Sequence, residues 1–227
     1  MNLRYALRQL GKAPGFTTAA VATLALGIGA NTAVFSLIQA VILTPLPYAS
    51  PERLVMIWNM TTPSDRTWLS APEIVHYREG SRSFAQLGAY IEGDANLTGD
   101  DNPERVPAAS VTGDLFDTLG VPALLGRTLG SADSAPGAAD VVVLGHGIWQ
   151  RRFGASPTIL GDRIQVNGRS REVVGVMPPD FHLPVDYRGS RQTELWMSAI
   201  IDPANLGQWG NRSFMAVARL TPEATPA

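Results

Sequence analysis

The clearest hydrophobic pattern in the chain is an apolar stretch near its N-terminus, residues 16–43, which reads FTTAAVATLALGIGANTAVFSLIQAVIL. It contains no Asp, Glu, Lys, Arg or His, and the charge-free window is wider, from Ala13 to Pro51. A helix of about 20 mostly apolar residues is long enough to cross a hydrocarbon layer about 30 Å thick. The Thr and Ser hydroxyls can bond to backbone carbonyls one turn back, so they do not prevent insertion. The pattern therefore predicts a transmembrane helix at residues 16–43.

Three cations precede this stretch at helical spacing, namely Arg4, Arg8 and Lys12. Residues i, i+4 and i+8 share one face of a helix, so residues 1–15 form a predicted amphipathic segment on the cytoplasmic face. On the other side of the stretch the nearest charges are Glu52 and Arg53. Because Lys and Arg are in excess on the N-terminal side, the positive-inside rule predicts a cytoplasmic N-terminus. Everything from residue 44 onward is then predicted to lie outside.

A cleaved signal peptide is the alternative interpretation of the N-terminus, since positive residues followed by an apolar run describe that as well. The apolar core of a signal peptide is typically about 7–15 residues long. Residues 16–43 are longer than this, and no clean small-x-small cleavage pattern stands at their end. We therefore expect an uncleaved membrane anchor.

Three positions within the span are candidates for helix packing in the membrane, namely Gly27, Gly29 and Asn31. Glycine lets a neighbouring helix approach closely, and an amide side chain in lipid requires a partner or a position near the interface. These residues predict contact with another membrane helix.

The remaining chain alternates short apolar runs with polar turns, which predicts an α+β domain of short strands and short helices. Residues 54–58 predict a buried strand, and Ser70 with Glu73 forms a capping-box pattern that begins a helix ending near Glu79. Asn167-Gly168 lies between two alternating runs and predicts a β-hairpin.

Two further predictions concern the organisation of this exterior part. Residues 83–90 predict a helical turn that enters a strand, and residues 93–103 predict a polar hairpin tip. A stretch rich in Ser, Ala, Asp, Pro and Gly then precedes Asp140 and indicates a boundary. We therefore expect two small α+β subdomains, residues 44–127 and residues 128–227.

The composition argues against several classes of function. The formal net charge is −2 and the pI is near 5.9, so the chain offers no basic surface for a phosphate backbone and nucleic acid is not an expected partner. The absence of cysteine from the sequence excludes a disulfide framework and a thiolate metal site.

Residues able to carry chemistry are few. Residues 141–147, VVVLGHG, place Gly-x-Gly after a strand as a dinucleotide-binding turn would, but Gln150 occupies the third glycine position. The three histidines, His76, His146 and His182, do not share a metal-binding spacing, and no Gly-x-Ser-x-Gly sequence occurs. We expect a plain strand-to-helix turn, surface or packing histidines, no catalytic, cofactor-binding or metal-binding residue, and no enzymatic activity.

Four stretches, taken in order, carry a family resemblance. They are LGIGANTAVFS at residues 26–36, PLPY at 45–48 with PERLV at 51–55, FDTLGVPALLGR at 116–127, and residues 143–181 with WQRRFG, VNG and VVGVMPP. Together they resemble the permease subunits of the macrolide-exporter (MacB-like) type of ABC transporter, in particular an acidobacterial branch of duplicated orphan permeases. The resemblance covers nearly the whole chain.

This resemblance implies a permease of the bacterial inner membrane, whose first helix leads into a periplasmic core domain. In that family a separate cytoplasmic ABC ATPase closes a dimer of permeases, and the periplasmic domain relays the motion without covalent chemistry. The implied partners are therefore the ATPase, a second copy or a paired permease, and the lipid bilayer. No cofactor is implied.

The chain departs from the family pattern in one respect. It reaches Ala227 without a second apolar run long enough to span a membrane, so we expect an N-terminal fragment of a longer permease. Unpaired strand edges are then expected near residues 214–220. A membrane-anchored periplasmic binding or scaffold domain without transport activity is the alternative. An anchored hydrolase or metalloenzyme is a third class, which no residue spacing supports.

Overall fold

The computed structural model describes residues 12–38, 47–62, 65–99, 102–184, 192–202, 204 and 206–225. The chain divides into two compact units, Met1–Leu46 and Pro47–Ala227. The first contains one long helix, and the second is a mixed α and β domain dominated by one large sheet. The predicted α+β class is therefore confirmed.

Helix α1 spans Pro14–Ile38, and its segment Pro14–Ser36 is long and apolar enough to cross a membrane. Its start agrees with the prediction to within two residues, whereas residues 39–43 of the predicted span lie outside the described residues. Three threonine hydroxyls donate to carbonyls four residues back: Thr17 to Ala13 (3.0 Å), Thr23 to Ala19 (2.9 Å) and Thr32 to Ile28 (2.8 Å). The predicted return of hydroxyls to the backbone is confirmed.

The second unit contains eleven described strands and three described α-helices. The strands are β1 Leu54–Ile57, β2 Asn59–Thr62, β3 Asp65–Thr67, β4 Phe84–Thr98, β5 Glu104–Val111, β6 Leu125–Gly126, β7 Val141–Leu144, β8 Arg163–Val166, β9 Arg169–Val176, β10 Leu195–Ser198 and β11 Met215–Leu220. The helices are α2 Ala71–Gly80, α3 Leu115–Leu119 and α4 His146–Phe153. Short 3-10 helices lie at Pro51–Arg53, Ser131–Ser134 and Pro157–Ile159.

Nine of these strands form one sheet in the order β1-β11-β4-β5-β10-β7-β9-β6, with β8 pairing to β4 and β9, whereas β2 and β3 form a separate hairpin. Strand β4 organises the sheet, because it pairs with β11 through residues 84–90 and with β5 through residues 90–97. Strands from both predicted subdomains therefore share one sheet. The division between residues 127 and 128 stays a prediction.

Local signals in the sequence correspond to specific contacts. The Glu73 carboxylate accepts the backbone N–H of Ser70 at 2.7 Å and its hydroxyl at 2.8 Å, which fixes the first turn of α2 as the capping-box pattern predicts. Asn167 and Gly168 both have positive φ (53° and 75°), as a two-residue turn between β8 and β9 requires. The predicted hairpin is confirmed.

Two predictions about irregular segments are correct only in part, because the predicted strand and hairpin exist but the helical turn does not form and the hairpin tip is shorter. Residues 83–90 do not form a helical turn and residues 93–98 do not form a loop tip, because β4 runs without interruption from Phe84 to Thr98. Its far half is fixed by pairing with β5, and Ala95 and Leu97 are buried there at alternate positions. Glycine and acidic residues in this segment resemble loop composition, but the tertiary pairing decides the structure.

The expected unpaired edges near residues 214–220 are also absent. Strand β11 lies between β1 and β4, where its central residues are buried. Among the described strands, β1 and the two-residue β6 form the ends of the sheet order. A short edge strand offers little backbone for pairing with another chain.

The interior is built around aromatic side chains on one face of the sheet. Trp196 is 1% exposed, and its ring centroid lies 6.2 Å from that of Phe116 and 5.2 Å from that of Phe181. Edge-to-face pairs of this kind contribute about 0.5–1.5 kcal/mol beyond the area they bury. This cluster also includes Tyr48 and Leu119, so it extends to the segment that follows the membrane helix in the chain.

Candidate functional site

Residues 47–53 follow the membrane helix in sequence and belong to the sheet unit. Tyr48 is 9% exposed and is part of the main core, and its hydroxyl donates to the carbonyl of His182 at 2.9 Å. Burial raises the pKa of Tyr48 to about 12. The phenol therefore fixes this segment to the core in its neutral, hydrogen-bonded form.

The next two residues lie against the end of helix α3. The N–H of Ala49 donates to the carbonyl of Leu119 at 3.1 Å. Gly120 ends α3 with φ +68°, and a Cβ added there would lie 2.5 Å from the Cβ of Ala49. Ser50 also has positive φ (45°), which is uncommon for a residue with a side chain. The chain thus approaches α3 closely only because residue 120 is glycine.

Arg219, near the end of β11, binds the carbonyl oxygens of two separate segments. Its guanidinium donates to Thr118 at 2.9 Å, to Ala49 at 2.7 Å and to Ser50 at 3.4 Å. The planar fork of an arginine can serve several acceptors at once, which a lysine ammonium does less well. Arg219 therefore fastens residues 49–50 to the C-terminal turn of α3.

Arg53 makes the reciprocal contact. It lies at the end of the 3-10 helix Pro51–Arg53, and its Nε and Nη2 donate to the carbonyl of Leu220 at 3.1 and 2.5 Å. Strand β1 begins at the next residue and pairs with β11, with Leu54 opposite Arg219. The two arginines therefore both lie at the first residue pair between these strands. We call Tyr48, Ala49, Arg53, Gly120 and Arg219 the junction.

The electrostatics of the junction set it apart from an ordinary surface ion pair. Burial lowers the pKa of Arg219, the charge of Arg53 lowers it further, and Glu52 partly offsets this. Among the described residues neither arginine has a carboxylate within 4.0 Å, so backbone carbonyls supply their hydrogen-bond partners. Two cations lie close together here because each binds part of the main chain.

Only one of the three residues predicted to orient the span, Lys12, is among the described residues. Arg4 and Arg8 lie outside the described residues, whereas Lys12 is exposed and precedes α1. Their role in setting the orientation of the span stays a prediction.

The structure places the predicted packing residues on α1. An added Cβ at Gly27 or at Gly29 would meet nothing within 4 Å, and Asn31 is exposed. At 100° per residue, Gly27 and Asn31 share one face whereas Gly29 lies nearly opposite. A role in helix packing stays a prediction, and one partner helix would meet the first two residues rather than all three.

No group of three or more His, Cys, Asp and Glu residues that could hold a metal ion occurs in the described part of the chain. The ring of His76 packs against Trp209 at 6.4 Å between centroids, and the ring of His146 packs against Trp149 at 5.6 Å. The Gly145 N–H donates to the carbonyl of Glu194 at 2.7 Å, so a neighbouring segment covers this strand-to-helix turn.

One protein family, the MacB-like periplasmic core domain, matches residues 17–227 and so covers most of the chain. This chain belongs to the MacB-like periplasmic core domain family. No match is found among curated protein sequences. The family assignment agrees with the resemblance seen in the sequence, while the acidobacterial branch stays a prediction.

Two solved structures share the fold of this MacB-like chain. One is the crystal structure of a domain assigned to a permease protein from Porphyromonas gingivalis, with TM-score 0.60 and 20% identity over 79% of this chain and 80% of that one. The other is the periplasmic region of MacB from Actinobacillus actinomycetemcomitans, with TM-score 0.57 and 15% identity over 76% and 77% of the two chains. At these identities the likeness establishes the fold.

These findings give the MacB-like chain a role associated with an ABC-type transporter. An apolar helix followed by a periplasmic core domain also fits a protein of the inner membrane. Sequence reasoning does not select Tyr48, Arg53 or Arg219 as functional residues. Tyr48 and Arg53 belong to PLPY and PERLV, two of the motifs that carry the family resemblance, and these motifs follow a predicted membrane span, whereas Arg219 belongs to none of the quoted motifs.

Proposed function

We propose that this MacB-like chain is a permease component of an ABC-type efflux or mechanotransmission system. In this proposal the N-terminus is cytoplasmic, α1 crosses the inner membrane once within this sequence, and residues 44–227 are periplasmic. The family match, the apolar helix and the cations Arg4, Arg8 and Lys12 support the proposal.

In the same proposal the periplasmic domain relays motion and performs no covalent chemistry. A cytoplasmic ABC ATPase supplies the motion, and the permease acts as a homodimer or beside a paired permease in the lipid bilayer. The observation that carries this proposal is the junction, where the chain that follows the membrane helix is bonded to α3 and β11. A domain that hung from a loose linker would have no need of such contacts.

The proposal is tested with the full chain in lipid nanodiscs together with the ABC ATPase that co-purifies with it. Ala139 is exposed, and the chain has no cysteine, so Ala139→Cys carries a single spin label. We expect the distance between labels on two copies to differ between the nucleotide-free and the vanadate-trapped complex.

The relay would be contradicted if the label distance did not change and the ATPase rate were the same with and without the permease. That outcome would favour the alternative, a membrane-anchored periplasmic binding or scaffold domain.

A further inference from the structure

The junction contains more fastening than an ordinary linker requires. Residues 48–53 are held by a buried phenol, by a backbone hydrogen bond to Leu119 and by two arginines. These contacts reach three separate parts of the domain, namely the main core, the C-terminal turn of α3 and the end of β11. A displacement of residue 49 is therefore shared among several elements.

The position of Arg219 matters because of how β1 is attached. Strand β1 pairs with β11 on one edge through four residue pairs, beginning at Leu54 opposite Arg219. A pull on the chain before residue 54 would act on this pairing from its Leu54 end. Since Arg219 binds the carbonyls of Ala49 and Ser50, the load reaches α3 and β11 before it reaches the first β1 pair.

Both contacts use the main chain rather than side chains. Arg219 binds the carbonyl of Thr118 on one side and that of Ala49 on the other, at 2.9 and 2.7 Å. Arg53 binds the carbonyl of Leu220, the last residue of β11. A guanidinium bound to backbone carbonyls on both sides joins the two main-chain segments through one side chain, and the Thr118 carbonyl belongs to helix α3.

We propose that Arg219, supported by Arg53, is the positioning residue that transfers displacement of the membrane helix to the periplasmic sheet. This inference rests on the proposed relay function and identifies the junction as the place where the motion is transferred. Arg219 acts through the segment it binds and contacts no transported molecule.

The first test measures the stability of the junction by amide hydrogen exchange of the full chain in nanodiscs. Arg219→Ala should raise the exchange rate of the Ala49 amide about tenfold or more, while the amides of β4 and β5 keep their protection. Arg219→Lys should give an intermediate rate, because one ammonium cannot reach all three carbonyls.

Arg82→Ala is the matched control. Arg82 is exposed next to Ser83, whose carbonyl binds Thr221, and the described part of the chain offers it no hydrogen bond or ion pair. Its removal should leave the exchange of Ala49 unchanged. If Arg219→Ala also left that exchange unchanged, the role of Arg219 at the junction would be refuted. If Arg219→Ala instead lowered protection throughout the domain, the milder Arg219→Lys variant would replace it in the comparison.

The second test measures transfer, with the Ala139→Cys label distance in the complex with the ATPase. In Arg219→Ala we expect the nucleotide-dependent change in distance to fall to less than about half of that in the parent chain, and in Arg82→Ala to remain. A full change in Arg219→Ala despite faster exchange at Ala49 would overturn the inference and leave the proposed function standing. If the label distance in the parent chain did not change with nucleotide, the proposed function would be overturned. The exchange data would still show whether Arg219 stabilises the junction.

Discussion

Arg219 and Arg151 are both bound by several oxygen atoms, but the oxygens are of different kinds. Arg219 binds three backbone carbonyls, whereas Arg151 binds the carboxylates of Glu104 and Glu194 at 2.7 and 2.9 Å. The pKa of Arg219 is lowered by burial, while the hydrogen bonds that Arg151 donates to Glu194 and Glu104 raise the pKa of Arg151. The same residue type thus serves two purposes, since one site fixes the path of the chain and the other pairs surface charges.

The location of the two sites explains this difference. The junction fastens the segment that follows the membrane span, where the direction of the backbone has to be defined. The Arg151 cluster ties α4 to the starts of β5 and β10, which the sheet already holds through their pairing. We therefore expect substitutions at the junction to lower the stability of the fold more than substitutions at the Arg151 cluster.

The largest effect is expected for Gly120→Ala. The new Cβ would lie 2.5 Å from that of Ala49, and the residue would keep φ +68°. Backbone strain and overpacking together should lower the free energy of unfolding by roughly 2–4 kcal/mol, as measured by urea denaturation. Gly137→Ala is the control, because its φ is +79° and its added Cβ meets nothing within 4 Å. Equal losses in the two variants would show that the close approach at Ala49 is unimportant.

The second effect compares the two arginines directly. Arg219→Met should lower the free energy of unfolding by about 1–3 kcal/mol, because the carbonyl of the buried Thr118 and those of Ala49 and Ser50 lose a charged donor. Arg151→Met should cost only about 0–1 kcal/mol, since the Arg151 side chain is 49% exposed, and 1 M salt should remove most of that cost. Denaturation curves at low and high salt separate the two. A larger loss at Arg151 than at Arg219 would reverse the comparison.

The third effect depends on alkaline pH and concerns Tyr48. Its pKa is raised from 10.0 to about 12 in the folded protein, so the folded state holds the phenolic proton more tightly than the unfolded state does. This contribution to stability is complete below pH 10 and is lost as the pH rises through 12. Thermal unfolding between pH 9 and 12 should show a steeper loss for the parent chain than for Tyr48→Phe. Parallel curves would mean that Tyr48 is not buried at the junction.

The smallest effect concerns the carboxylate side of the comparison. A hydrogen bond from Arg151 lowers the pKa of Glu104 below its usual 4.5 in the folded protein. A lowered pKa stabilises the fold above pH 4.5, and this contribution is lost as the pH falls through the folded value. Glu104→Gln should flatten the acid limb of a stability curve by a few tenths of a kcal/mol. Asp162→Asn, at an exposed position, serves as control.

Much of the fold follows from local sequence signals, and the exceptions have a physical cause. The apolar run of α1, the capping box of Ser70 and Glu73, and the Asn167-Gly168 turn each depend on nearby residues, so the sequence predicts them correctly. Strand β4 extends further than local sequence predicts, because its far half is fixed by pairing with β5. The position of β11 between two partners likewise depends on pairing across more than 100 residues.

The junction could not be predicted for the same reason. Arg53 and Arg219 are far apart in sequence and meet only because β1 pairs with β11. Their acceptors are backbone carbonyls, which leave no mark on the residue types around them. A surface arginine and a junction arginine therefore look alike until the sheet order is known.

The measurement that tests the account most directly is the location of the two chain regions relative to the membrane. The cysteine-free chain carries either Asn2→Cys or Ala139→Cys, and cells with a permeabilised outer membrane are treated with a maleimide that cannot cross the inner membrane. We predict that Ala139→Cys is labelled in intact cells, whereas Asn2→Cys is labelled only after lysis. Labelling in the opposite sense, or release of a processed domain that has lost residue 2, would contradict a membrane-anchored periplasmic relay.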